Sequence, residues 1–193
     1  MKLVVSLFAA ASLCVAAHAQ MHDNSLQVGL RYSATAANAP PGSCGCFILQ
    51  GGAIEASIPI LPHVRAVVEA AGGTVDRVPA STRGLSEITL LAGPRYTVPI
   101  HRIRINAQAL FGAVRGFDSD FIVATNTHTD TSTNLAMAIG GSIDLPLSHA
   151  VLLRPVQIDY LQTNLPNGID DRQRNIRFGA GVVFRIHLPN NRR

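Results

Sequence analysis

The chain has 193 residues, of which 47% are apolar and 15% charged, and its formal net charge is +4 at pH 7. This composition excludes a disordered chain, and 3 Cys are too few for a disulfide-stapled miniprotein. The mean hydropathy of +0.23 is typical of a membrane protein, yet after residue 20 no stretch reaches the ~18 consecutive apolar residues of a spanning helix. Helical membrane bundles are therefore excluded, which leaves a soluble all-β or α+β domain or a membrane β-barrel.

Residues 1–19 have the pattern of a cleaved secretory signal peptide. Lys2 supplies the positive charge, residues 3–17 form the apolar stretch, and Ala17-His18-Ala19 is a small-x-small cleavage site. An anchoring helix is the alternative, but the stretch is too short and no charged flank follows it. We expect an exported mature domain of residues 20–193.

The mature chain shows period-2 alternation of apolar and polar residues nearly throughout. Eight strands are predicted, at about 25–35, 45–58, 63–75, 84–98, 101–115, 133–145, 149–163 and 173–187. Their connections alternate between tight turns and longer polar loops, the latter at 36–44, 76–83, 116–132 and 164–172. This alternation is typical of an eight-stranded antiparallel up-and-down transmembrane β-barrel with short periplasmic turns and long external loops. A soluble lipocalin-like barrel is the alternative.

Apolar and polar residues separate onto opposite faces of the predicted strands. In 101–113 the apolar face includes Ile103, Ile105 and Phe111, whereas Asn106 and Gln108 lie on the other face. A long apolar face rich in Ala, Ile and Val favours contact with lipid, which turns the polar face inward.

An eight-stranded barrel is narrow enough for side chains to fill it. We therefore expect a salt-bridged lumen that conducts weakly or not at all, in which buried charges are tolerated because they are paired. The predicted lumen network comprises Arg31, Glu55, Arg65, Glu69, Glu87, Arg95, Arg102, Arg104, Asp144, Asp159, Arg177 and Arg185.

Two places break the alternation and predict β-bulges. Phe47 and Leu49 are out of phase with the residues that follow Gly51-Gly52, and the phase changes again at Pro155. The second bulge would turn Arg154 into the lumen.

Four segments carry recognisable motifs: Gly-Pro-Arg-Tyr at 93–96, Gln-x-Asp-Tyr at 157–160, the loop 167–173 and the closing segment 177–185. Together with the hairpin-rich pattern, they resemble small bacterial outer-membrane β-barrel proteins of the OmpA/OmpX-like type. The resemblance spans essentially the whole mature chain and implies a fold rather than an activity, because this fold hosts adhesins, structural barrels, small porins and enzymes. The chain departs from the usual pattern in having no Trp and only 3 Tyr.

Two sets of metal-ligating side chains invite a functional interpretation. Cys44-Gly45-Cys46 at the end of the first external loop predicts a local disulfide, with metal or redox use as the alternatives. Four histidines fall at the periplasmic rim, where a polar belt at headgroup level is the preferred interpretation over a metal site. These histidines are His63, His101, His149 and His187.

His128, Asp130 and Ser132 lie together in the longest external loop and have the residue types of a nucleophilic triad. Such triads draw their members from separate rigid elements, so a lipid A-modifying enzyme is the lesser alternative. We expect a structural or surface-interaction role through the external loops, with a low-conductance porin as the other alternative. No catalytic residue, cofactor or metal is predicted.

The expected partners are outer-membrane lipid and lipopolysaccharide, the barrel-assembly machinery during insertion, and a ligand of the external loops that the sequence does not identify. Nucleic acid is not expected, because the arginines are scattered singly among apolar residues.

Overall fold

The computed structural model of the chain describes residues 25–38, 46–78, 83–124, 127–167 and 171–187. The predicted signal peptide at 1–19 and Cys44 lie outside these residues, and the side chain of Cys46 is not described. No helix in the described ranges is long and apolar enough to cross a membrane.

Ten strands make up the regular structure. Their bounds are β1 Ser25–Asn38, β2 Cys46–Leu61, β3 Val64–Val75, β4 Leu85–Ile100, β5 Ile103–Phe117, β6 Phe121–Ala124, β7 Thr127–Thr129, β8 Ser132–Pro146, β9 Val151–Thr163 and β10 Gln173–His187. The eight predicted strands are confirmed; four of them are one to three residues longer than expected, two have the expected length and two are one or two residues shorter. The β6–β7 hairpin was not predicted and lies within the longest loop.

Eight strands form one closed antiparallel barrel in the order β1-β10-β9-β8-β5-β4-β3-β2, and β6 pairs only with β7. The first and last strands close the ring, with Ser25 opposite His187. Closure satisfies the backbone hydrogen bonds that an open sheet would leave at its edges.

Short and long connections segregate to opposite rims of the barrel. Pro62-His63, His101-Arg102 and residues 147–150 connect strands at one end, here called the short-turn rim. His63 and His101 adopt positive φ values of 65° and 51°, as tight turns demand. The other end, here called the long-loop rim, carries residues 76–84, 118–131 and 164–172 among its connections.

The inward face is polar and the outward face apolar, which confirms the predicted inversion relative to a soluble barrel. On β5, Asn106 and Gln108 are buried while Ile105, Ala107 and Phe111 are exposed. On β10, Asn175 and Arg177 are buried while the alternate apolar side chains are exposed. The barrel therefore hides its charges inside and presents a hydrocarbon-compatible band outside.

One of the two predicted β-bulges is present. Pairing between β8 and β9 shifts between Ile143 and Leu145, and pairing between β10 and β9 shifts between Gly179 and Gly181. Both shifts fall opposite residues 154–156, so the bulge at Pro155 is confirmed, and it leaves Arg154 buried in the lumen at 2% exposure.

The predicted bulge at Gly51-Gly52 is wrong. β2 pairs without interruption with β1 and with β3 across these glycines. Leu49 keeps the inward phase and is buried in the lumen. The break in the sequence pattern arises because this part of the inward face is apolar, so that an inward leucine looks like a phase shift.

Candidate functional site: the filled lumen

Glu55 on β2 is the centre of the lumen's ion-pair network. Its Oε1 accepts hydrogen bonds from Nη1 of Arg95 at 2.6 Å and from Nη1 of Arg154 at 2.8 Å. Its Oε2 accepts from Nη2 of Arg95 at 2.7 Å and, more weakly, from Nη1 of Arg31 at 3.4 Å. One carboxylate thus joins β1, β4 and β9 to β2 across the interior.

Glu69 on β3 links the two strands that close the barrel. Its Oε2 accepts from Arg31 Nη2 on β1 at 2.7 Å, and its Oε1 accepts from Arg177 Nη2 on β10 at 2.6 Å. Arg177 also reaches Asp159 Oδ2 on β9 at 3.1 Å. The side chain of Glu69 is fully buried, so these charge-assisted bonds are shielded from solvent.

Asp144 on β8 extends the network toward the short-turn rim. Arg154 grips this carboxylate with both Nε and Nη2, at 2.6 Å and 3.0 Å, the bidentate geometry that makes arginine–carboxylate pairs strong. Asn106 on β5 donates to the same carboxylate at 2.9 Å.

Two glutamines connect the charged groups to one another. Gln108 accepts from Arg95 Nε at 3.0 Å and donates to Asp159 at 2.9 Å, and Gln157 accepts from Arg154 and donates to Asp159. All eight barrel strands therefore contribute a side chain to a single network.

The network is electrically neutral as a unit. It contains four arginines and four carboxylates, all at least nine-tenths buried. These are Arg31, Arg95, Arg154 and Arg177 with Glu55, Glu69, Asp144 and Asp159. Neutrality limits the cost of desolvating eight charges, because each one faces opposite charge and hydrogen-bond partners.

The remaining residues of the predicted network have other positions. Glu87 is buried in the lumen but makes no ion pair or hydrogen bond in the described part of the chain, and Arg177 attracts it only at longer range. Arg65 is buried near the short-turn rim, where it donates to the hydroxyl and carbonyl of Ser57 and to the carbonyl of Ser25. Arg104 is half-buried at the same end.

Two predicted lumen residues lie at or beyond the rim. Arg102 is exposed in the two-residue turn between β4 and β5, so its placement in the lumen is wrong: the alternation continues in the sequence where the chain has already left the sheet. Arg185 is half-buried and donates to the carbonyl of Ser148, in the connection between β8 and β9, at 2.8 Å.

Glycines on the inward face make room for the charged side chains. A Cβ added to Gly29 would lie 2.7 Å from Cγ of Glu55, and one added to Gly179 would lie 2.9 Å from Cδ of Arg31. Both contacts are closer than packed carbon atoms allow. These positions on β1 and β10 therefore require glycine for the network to fit.

Toward the long-loop rim the lumen is filled by apolar side chains, which the sequence reading did not anticipate. This cluster comprises Val67, Leu91, Leu110, Val114, Phe121, Ala136, Ala138, Leu161 and Leu165. Phe121 of β6 and Leu165 of the loop after β9 come from outside the barrel strands and are buried over Gly116. These two residues extend the cluster beyond the strands and form an apolar plug at the long-loop end of the lumen.

A small cavity opens at the opposite, short-turn end. Its volume is about 70 Å³, and it is lined by both apolar residues such as Pro59 and Leu61 and polar ones such as Thr97 and Arg104. Asn106 and Asp144, which belong to the hydrogen-bonded interior, also line this cavity.

The residue types of the predicted triad do not form a triad. His128 Nδ1 lies 2.9 Å from Asp120 Oδ1, and both side chains are about half exposed on the β6–β7 hairpin. No hydrogen bond joins His128 to Asp130 or Ser132; the Ser132 hydroxyl instead accepts from Asn134.

The four predicted rim histidines lie on separate turns or strand ends at the short-turn rim. His63 Nδ1 lies 3.2 Å from the carbonyl oxygen of Thr97, and its ring packs near Tyr96. In the described ranges no group of three or more His, Cys, Asp or Glu is arranged to hold a metal ion.

No known protein-family model matches the sequence, and no curated protein matches it. Solved structures are nevertheless similar in fold. Neisserial surface protein A has a TM-score of 0.60 and 16% identity, with 83% of this chain and 97% of that chain covered. The outer membrane protein OprG from Pseudomonas aeruginosa has a TM-score of 0.57 and 10% identity, with 86% and 97% covered.

The attachment invasion locus protein Ail of Yersinia pestis, solved with the heparin analogue sucrose octasulfate, has a TM-score of 0.51 and 12% identity. It covers 84% of this chain, which covers 97% of Ail. At these identities the likeness concerns the fold alone. The chain has the eight-stranded transmembrane β-barrel fold of small bacterial outer-membrane proteins.

Proposed function

We propose that this protein is an integral outer-membrane barrel whose role is structural or surface-interactive, carried out by its long-loop rim on the external side. The observation that carries this proposal is the filled lumen. The neutral ion-pair network and the apolar cluster under Phe121 and Leu165 occupy the interior, so the accessible polar chemistry lies in the loops.

The outward band supports the membrane placement. Most outward positions of the strands carry apolar side chains, including Leu30, Ile54, Leu90 and Ile139 at about half exposure or more. A soluble monomer rarely exposes so continuous an apolar surface to water, whereas the lipid-facing surface of a membrane barrel is apolar. The predicted signal peptide is consistent with export.

Cell fractionation with gel mobility tests the membrane placement. We expect the mature protein in the outer-membrane fraction, extracted only by detergent, and migrating faster on a gel before heating than after heating. Release into the periplasmic fraction without detergent would refute the proposal and favour a soluble barrel.

Planar bilayers separate this role from a low-conductance porin. The wild-type barrel should pass no ionic current at moderate voltage, because ions would have to cross both the ion-pair network and the apolar cluster. A reproducible current that changes on Arg104→Gln, at the cavity of the short-turn rim, would establish the porin alternative instead.

The enzyme alternative depends on the exposed His128–Asp120 pair. This pair orients an imidazole but has no hydroxyl or thiol hydrogen-bonded to the histidine in the described residues. Lipid A from cells that express the protein should therefore be unmodified. A modification that is present with the wild type and absent with His128→Ala would contradict this.

A further inference from the structure

Charge on the outward surface of the barrel is confined to two arginines. Arg115 on β5 and Arg174 on β10 are the only charged side chains that face outward from the described parts of the eight barrel strands. Both are exposed, and both lie within three residues of the strand end at the long-loop rim. At the short-turn rim the outward positions are apolar to the ends of the strands, for example Ile60, Ile105 and Ile186.

The other polar outward side chains lie at the same end. Thr133 on β8 is opposite Arg115, and Gln162 on β9 is opposite Arg174. Gln50, Thr74 and Ser86 complete this group on β2, β3 and β4. Along the described strands, the polar outward side chains therefore concentrate toward the long-loop rim, whereas toward the short-turn rim the outward strand residues are apolar or, at Tyr96, amphipathic.

Among the described residues, no group forms a hydrogen bond or an ion pair with Arg115 or Arg174, and no acidic side chain faces outward from the described strand residues. An unpaired arginine on a barrel surface is costly in the middle of the hydrocarbon and nearly neutral at the headgroup level. These two side chains therefore belong at the headgroup level of one leaflet.

We infer that Arg115 and Arg174 bind the phosphate groups of a phosphorylated lipid in the external leaflet. The planar guanidinium donates two parallel hydrogen bonds to phosphate, and it sheds water more readily than an ammonium does. Thr133 and Gln162 provide additional hydrogen-bonding groups beside each cation. Arg115 and Arg174 stand on strands that are separated by β8 and β9, and since both are positive and both lie at one rim, this rim selects anionic lipid of that leaflet.

This inference rests on the membrane placement proposed above, and it is tested with the mature chain in neutral detergent micelles titrated with lipid A. Native mass spectrometry counts the bound lipid, and heat-modifiable mobility reports the stabilisation that binding causes. Arg115→Gln and Arg174→Gln should each weaken binding by about tenfold, and the double variant should lose it. Arg102→Gln, which removes an exposed arginine from the short-turn rim, is the matched control and should bind like the wild type.

Two further probes identify the group that is recognised. The wild type should bind dephosphorylated lipid A as weakly as the double variant binds intact lipid A. Inorganic phosphate alone should not stabilise the protein. Equal binding of the dephosphorylated lipid would overturn the inference, as would equal losses in Arg102→Gln and the double variant. Stabilisation by free phosphate that depends on both arginines would overturn the lipid assignment.

Failure of the membrane placement is distinguishable from failure of the phosphate site. If the wild-type chain does not insert into phosphatidylcholine vesicles, the proposed function fails. If it inserts and all variants bind lipid A alike, only the phosphate inference fails.

Discussion

Replacing Glu55 by glutamine removes the charge at the centre of the lumen network without changing its shape. Glu55 neutralises guanidinium groups of Arg31, Arg95 and Arg154. After Glu55→Gln, four buried arginines face three carboxylates, and the NH₂ group of the new amide faces guanidinium groups, which are also hydrogen-bond donors. The interior then holds an uncompensated positive charge.

The expected loss follows from the burial of the site. Breaking a buried ion pair by removing one partner costs about 3–5 kcal/mol, and Glu55 is 3% exposed, so solvent cannot compensate. With a urea dependence of about 3 kcal/mol per molar for a chain of this size, the unfolding midpoint should fall by more than about 1 M. The chain has no Trp, so the folded fraction in detergent is best followed by gel mobility and far-ultraviolet circular dichroism.

Glu87→Gln is the matched control, because it makes the same chemical change at a carboxylate of similar burial, 6% exposed, that forms no ion pair with any residue the structure describes. Its effect should be below about 1 kcal/mol, or stabilising, since the substitution replaces a buried carboxyl group that no charged side chain contacts in the described residues. Equal losses for Glu55→Gln and Glu87→Gln would refute the argument that pairing, rather than burial, determines the cost. A double variant Glu55→Gln, Arg154→Gln should recover part of the loss.

Three further predictions concern the plug, the inward glycines and the rim turn. Phe121→Ala should lower the free energy of unfolding in urea by about 3–5 kcal/mol, because it removes the aromatic ring from the apolar plug. Ile122, on the same hairpin, is 38% exposed, so Ile122→Ala should change the stability little. Similar effects of the two substitutions would show that the hairpin is not anchored through Phe121. Gly29→Ala should lower the free energy of unfolding by about 1–3 kcal/mol, since the added methyl group meets a Glu55 side chain that three arginines hold in place. Gly72→Ala should be tolerated, because the nearest atom to the added methyl group lies at 3.6 Å. A larger loss for Gly72→Ala than for Gly29→Ala would contradict the steric argument. His63→Gly should fold at least as well as the wild type in the same assay, because glycine adopts the positive φ of this turn without strain; a large loss would instead assign the histidine ring a structural role against Tyr96.

Alternation of residue type determines most of the fold, and for a physical reason. In a membrane barrel the outward face contacts lipid, which favours apolar side chains, and the inward face is polar. Neighbouring residues such as Asn106 and Ile105, or Arg177 and Phe178, can therefore be assigned to a face from their alternating positions alone. The Pro155 bulge was predictable because proline interrupts pairing and the residues on either side reveal the change of phase. Connection lengths indicated which ends share a rim.

Other features have no signal in a linear pattern. The sequence pattern predicts a bulge next to Leu49 because the lumen is apolar toward the long-loop rim. Alternation alone does not distinguish a leucine that faces this apolar interior from an outward leucine whose phase a bulge has shifted. The sequence pattern places Arg102 in the lumen because the alternation of polar and apolar residues continues into the turn, beyond the last residue of the strand. The partners of Glu55 depend on the stagger between strands that are not neighbours, and Phe121 lies in a loop without periodicity.

The ion-pair network connects parts of the chain that are far apart in sequence. Arg154 and Glu55 are separated by 99 residues, and Arg177 and Glu69 by 108. An insertion intermediate built from the first hairpins would carry Glu55 and Glu69 into the bilayer before β9 and β10 supply Arg154 and Arg177. Such an intermediate would hold the two carboxylates with only Arg31 and Arg95 of their four arginine partners, and its polar face would still be open to lipid. Assembly should therefore proceed in an all-or-none manner, in which the last strands complete the ion pairs of the first ones and close the polar interior off from lipid.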